Sequence, residues 1–175
     1  MDEGLDTGPM LARRAIAITP DHTGGTLTHE LAQVGAALLI ETLPAWLTGI
    51  IQPQPQDNNL ATLAPRLKKE QGEIDWTTPA LEIERQVRAY TPWPGAFTNG
   101  PRGLIKVLAI AVSPDIKEPA GAEPGALFKA QGGIYVQTGQ GVVRLITVQP
   151  AGKKEMTAEA MLHGQPELLG GRLGS

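Results

Sequence analysis

The chain has 175 residues, 41% of them hydrophobic and 4% aromatic, with 21 Gly, 15 Pro, no Cys and a formal net charge of −3. That composition supports the core of one ordinary domain or two small ones and favours short strands and turns over a helical bundle. It excludes disulfides, thiolate metal sites and a cysteine nucleophile, and the mild acidity argues against an indiscriminate nucleic-acid binder.

The charge is uneven along the chain. Residues 1–59 hold two basic residues, Arg13 and Arg14, against seven acidic ones, whereas residues 60–175 hold thirteen basic against eleven acidic, a balance of +2. A basic face on the second half is therefore open. The first ten residues are acidic and Gly-rich, unlike the basic start and apolar run of a signal peptide. The apolar stretch 34–51 is interrupted by Glu41 and Pro44 and is too mixed to cross a bilayer. A cytoplasmic protein without a membrane partner is expected.

Residues 11–18 read as a strand closed by Thr19, Pro20 and Asp21. A helix follows, capped by Thr23 or Thr26, with Leu27, Leu31, Val34, Leu38 and Leu39 at spacings that predict a buried stripe. A second helical stretch over 36–47 ends near Gly49. One strand and two helices make a fragment of an α/β layer, which predicts a truncated domain. Residues 52–59 alternate Pro with Gln, have no apolar period and predict an extended, semi-rigid linker.

Beyond the linker, Thr78 is positioned to cap a helix with Pro79 in its first turn and Leu81, Ile83, Val87 and Tyr90 on its apolar side. The run Thr91, Pro92, Trp93, Pro94, Gly95 stops it. Strands are predicted over 103–112, 125–130, 134–138 and 141–148, joined by Gly turns at 131–133 and 139–141, which suggests a small barrel. A last helical turn is predicted over 157–162.

Four stretches, in order, resemble the methionyl-tRNA formyltransferase family. They are Gly-Leu-Asp-Thr-Gly at 4–8; Ala-Pro-Arg-Leu-Lys-Lys-Glu at 64–70 with Ile-Asp-Trp at 74–76; Thr-Pro-Trp-Pro-Gly-Ala at 91–96; and Gln-Pro-Ala-Gly-Lys-Lys-Glu-Met at 149–156. The resemblance implies an α+β chain: an incomplete Rossmann-like α/β remnant at 1–50, a linker at 51–59, and an OB-like β-barrel domain at 60–175. It implies 10-formyltetrahydrofolate as formyl donor and the α-amino group of initiator methionyl-tRNA as acceptor. Of the family's Asn, His and Asp, only the Asp is matched, by Asp6; its implied work is to orient a water and a partner His for proton transfer. His22, His29 and His163 have no matching context, and Met1 matches an internal methionine of the family pattern. The chain is accordingly expected to be inactive alone and to partner with a missing N-terminal catalytic segment.

Arg66, Lys68 and Lys69, together with Lys153 and Lys154, are candidates to meet tRNA phosphates, which position a nucleic acid without reading its sequence. Solvated loops are the plain reading of the same residues. Arg85 and Arg88, three apart on the predicted helix, are weaker candidates because Glu82 and Glu84 stand within pairing distance along it. Trp93 is either a base-stacking platform or, as preferred, a buried packing residue like Trp76. His22 and His29 lack a third ligand, so no metal site is predicted. Beside the formyltransferase reading stand a non-catalytic tRNA-binding module, disfavoured by the small basic excess, and a truncated product with an exposed apolar stripe.

Overall fold

The computed structural model describes residues 3–174. Met1, whose match to an internal methionine was noted, lies outside the described residues. The chain divides into two compact units: Met1–His22 with Thr26–Arg66, and Thr23–Gly25 with Leu67–Ser175. Each has its own internal logic.

In the first unit, one uninterrupted helix α1, Gly24–Leu47, replaces the two helical stretches expected from sequence, and Pro44 is accommodated inside it. No glycine–proline pair or polar break separates the two periodic runs, so hydrogen bonding propagates from one into the next. The expected buried stripe is only half realised. Leu27, Val34 and Leu38 are half-buried, whereas Leu31 and Leu39 are exposed. Periodicity identifies the apolar face of a helix; burial also needs a surface to cover it.

The strand expected over 11–18 is absent: a single antiparallel bridge joins Met10 to Gln54, and the chain beyond it is irregular. A strand exists through its neighbour's hydrogen bonds, and β propensity without a partner does not make one. The Pro/Gln-rich stretch supplies that bridge, with backbone bonds of 2.8 Å in both directions between Met10 and Gln54.

The second unit is built on an antiparallel sheet. Its strands are β1 Ala96–Gly100, β2 Gly103–Val112, β3 Leu127–Ala130, β4 Gly133–Gln137, β5 Val142–Pro150 and β6 Met156–Thr157. They pair in the order β1-β2-β5-β4-β3, with β6 on β5. The four sequence-predicted strands correspond to β2, β3, β4 and β5; β1 and β6 were not predicted. Helix α2, Ala80–Ala89, buries Ile83 and Val87 and packs on β2, each such side chain contributing about 1.5–3 kcal/mol through lost apolar exposure. Pro79, not Thr78, occupies its N-cap position, because Thr78 is drawn into a turn in which its N–H donates to Asp75 O at 3.1 Å. Helix α3, Ala158–Gly164, begins on Thr157, whose hydroxyl accepts from Ala160 N–H at 3.2 Å. Ile74, Trp76, Val107, Leu127, Val143, Leu145 and Met161 are among the residues that close the core.

Candidate functional site

Asp6 stands on an exposed turn with φ of 57°, a left-handed conformation that Asp tolerates better than most side chains. The turn is held from below: Gln56 Nε2 donates to Asp6 O at 2.8 Å and to Gly8 O at 2.7 Å. The Asp6 carboxylate is thus presented to solvent on a backbone fixed by the Pro/Gln-rich stretch. Among the described residues, the two imidazoles of the first unit meet partners elsewhere. His22 Nε2 meets Glu30 Oε2 at 2.8 Å while its Nδ1 accepts from Thr19 N–H at 2.9 Å, and His29 lies 3.1 Å from the Gln33 amide. Among the described residues no group of three His, Asp or Glu side chains is placed to hold a metal ion.

Arg66 closes the first unit and is exposed. In the second unit Lys68 and Lys69 are exposed at the start of a 3-10 turn, Lys69–Gly72. That turn is tied to α2, because Gln86 Nε2 donates to Gln71 O at 3.1 Å and Glu73 O at 3.2 Å. Arg85, on the same helix, is exposed. Arg88 is not equivalent to it: its Nε meets Glu84 Oε1 at 2.5 Å, one helical turn earlier, and the pair is largely withdrawn from water. Glu82 is exposed. The i,i+4 pairing foreseen in the sequence is therefore made by Glu84 and Arg88.

Lys153 and Lys154 are exposed in the turn between β5 and β6. The turn is stiffened by Lys153 N–H donating to Pro150 O at 3.0 Å and by Gln149 Nε2 donating to Lys153 O at 3.0 Å. Sequence reasoning passed over Arg102, which sits in the tight turn joining β1 to β2. The only signal for it was the Gly-Pro-Arg-Gly turn at 100–103, and Gly103 takes φ of 104°, a value that demands glycine. Arg102 lines a cleft of about 150 Å³ that Lys153 also lines.

Trp93, expected to be buried, is 60% exposed. Trp76, by contrast, enters the core at 4% exposure. A larger cleft, about 390 Å³, runs beside Trp76 and is lined by Asp75, Glu73 and Arg172. Asp75 accepts from the Thr77 hydroxyl at 2.7 Å and the Thr77 N–H at 2.9 Å, and these bonds hold its carboxyl below the usual value. Arg172 Nη1 pairs with Glu123 at 2.8 Å. Among the described residues no helix is long and apolar enough to cross a membrane.

Residues 66–166 match the family described as formyl transferase, C-terminal domain. A methionyl-tRNA formyltransferase of Roseiflexus castenholzii is 45% identical over 170 residues, covering 97% of this chain and 54% of the relative. One from Myxococcus xanthus is 44% identical over 164 residues, covering 94% and 51%. The chain spans about half the length of the curated relatives it matches. Among solved structures, HypX from Aquifex aeolicus in complex with tetrahydrofolic acid superposes with a TM-score of 0.64 at 18% identity, covering 98% of this chain and 29% of that one. This last likeness concerns the fold.

Proposed function

Because the chain belongs to the formyl transferase C-terminal domain family, we propose that it works as the tRNA-side part of a methionyl-tRNA formyltransferase. The reaction is transfer of a formyl group from 10-formyltetrahydrofolate to the α-amino group of initiator methionyl-tRNA, in a cytoplasmic setting. One observation carries the reading: all seven basic candidates fall within the family-matched residues 66–166, and the turns that carry Lys69 and Lys153 are tied down by side-chain hydrogen bonds. In the domain reading, 1–50 ends a catalytic domain, 51–59 connects it, and 60–175 is an OB-like barrel whose cations meet tRNA phosphates. Arg66, Lys68, Lys69, Arg85, Lys153 and Lys154 supply exposed charge. Arg88 acts chiefly through its pair with Glu84.

Formyl transfer would join the amino nitrogen to the formyl carbon and break the bond from that carbon to N10 of the folate, which would leave as tetrahydrofolate with the proton shed by the amine. The donor supplies an activated formyl group when bound. Asp6 contributes a carboxylate that accepts a hydrogen bond and keeps a proton-transfer partner oriented. The turn around Asp6 is open and does not enclose a pteridine, so the residues described here do not fit the donor by themselves.

The experiment is formylation of initiator methionyl-tRNA by the full chain, alone and mixed with the N-terminal half of the Roseiflexus castenholzii relative. Formyl-methionyl-tRNA above background only in the mixture, lowered about a hundredfold or more by Asp6→Ala, is the expected result. Absence of product in both, with no retention of tRNA by the chain, refutes the reading.

A further inference from the structure

The turn between β1 and β2, the turn between β5 and β6, and the end of α3 meet around one small cleft of the second unit. Its charged lining residues are Arg102 and Lys153. The Arg102 guanidinium is anchored on two of its nitrogens: Nε lies 2.6 Å from Glu167 Oε1, and Nη1 donates to Gly164 O at the end of α3 at 3.1 Å. Both anchors leave Nη2 for an incoming acceptor, on a side chain that would otherwise lose much of its freedom on binding. Lys153 is held by its backbone alone, so its ammonium is available.

Size and charge select the ligand. At about 150 Å³ the cleft is well under the ~300 Å³ at which pockets for drug-sized ligands begin, so it takes a small group rather than a base or a pterin. One carboxylate, Glu167, offsets part of two cations. A tetrahedral oxyanion matches a planar guanidinium on one side and a point-charge ammonium on the other.

We propose that the cleft between Arg102 and Lys153 is a phosphate-binding subsite, which seats one phosphate of the tRNA backbone. The phosphate chemistry rests on the cleft alone; tRNA as its source rests on the proposed function above. Arg102 thereby joins the basic residues that sequence singled out, and Lys153 acquires a defined partner.

The full chain, labelled with ¹⁵N, is titrated with inorganic phosphate against a chloride control. Saturable shifts of the Gly103 and Lys153 amides are expected, lost in Arg102→Gln and partly kept in Arg102→Lys; shifts that match chloride overturn the subsite. Affinity for initiator tRNA is then measured across salt concentrations. The double variant Arg102→Gln/Lys153→Gln should lose several-fold in affinity and about one unit of log–log salt slope, because one phosphate contact is removed. Lys153→Gln alone, on an exposed turn, guards against a folding defect in the Arg102 variants. Tight tRNA binding with an unchanged slope overturns the subsite while leaving the tRNA-side role intact. Saturable phosphate binding without tRNA binding does the reverse: it keeps the subsite and removes tRNA as its source.

Discussion

The indole Nε1 of Trp76 donates to Thr98 Oγ1 at 2.9 Å, and both side chains are shut away from water, at 4% and 0% exposure. The bond ties the segment before α2 to β1, whose outer neighbour Glu73 also receives the Asn99 amide at 2.9 Å. Thr98→Val keeps shape and removes the acceptor, which leaves a buried N–H unpaired. A loss of about 1–3 kcal/mol in urea unfolding is expected, with Thr98→Ser recovering part of it. Equal stability of the Val variant and the parent would show that the bond contributes nothing.

Gly139 is packed where no side chain fits. A Cβ there would stand 1.7 Å from Thr77 O and 2.5 Å from its carbonyl carbon, and both obstacles are backbone. Gly139→Ala should destabilise by about 1–3 kcal/mol or more, through displacement of the turn before α2. Gly164→Ala, where nothing lies within 4 Å of the added carbon, is the matched control and should stay within about 0.5 kcal/mol of the parent. Thermal midpoints of the two variants decide the matter.

Asp75 sets a pH dependence of known sign. The Thr77 hydroxyl first, and the Thr77 N–H second, lower its carboxyl below the ordinary 3.8. A depressed folded-state value means that the ionised form stabilises the native state. This contribution is complete above pH 3.8 and is lost as pH falls through the lower folded value. Carbon-detected NMR titration should place the Asp75 midpoint below 3.8, and Thr77→Val should move it upward. An unmoved midpoint in the variant would remove the hydroxyl as the leading cause.

The three tryptophans differ in reach. Trp93 and Trp46 are 60% and 43% exposed and Trp76 is buried. In a Trp46→Phe chain, acrylamide should quench about half of the emission steeply, and adding Trp93→Phe should leave only the protected Trp76. Steep quenching that survives in the double variant would contradict the burial of Trp76.

Much of the second unit was readable because its signals are local. The Gly turns at 131–133 and 139–141 bracket β4, and the apolar runs of β2 and β5 lie within single strands. β1 escaped notice because Ala96–Gly100 is short and runs into a Gly-Pro turn, so its strand character comes from pairing with β2 rather than from its own side chains. The basic candidates were found by resemblance and by charge runs. Arg102, alone between Pro101 and Gly103, had no run around it, and Trp93 between two prolines carried the same pattern whether buried or exposed.

By itself the sequence determined the family, α2, the principal strands and the turns between them, since periodicity and turn chemistry act over a few residues. Tertiary structure alone decided that residues 11–18 form no strand and that Leu31 and Leu39 stay exposed. It also decided that strands distant in sequence pair as β1-β2-β5-β4-β3 and that Arg102 and Lys153 share one cleft. Those outcomes depend on which surfaces and partners the folded chain brings close, and closing such long loops is a property of the whole sheet rather than of any segment.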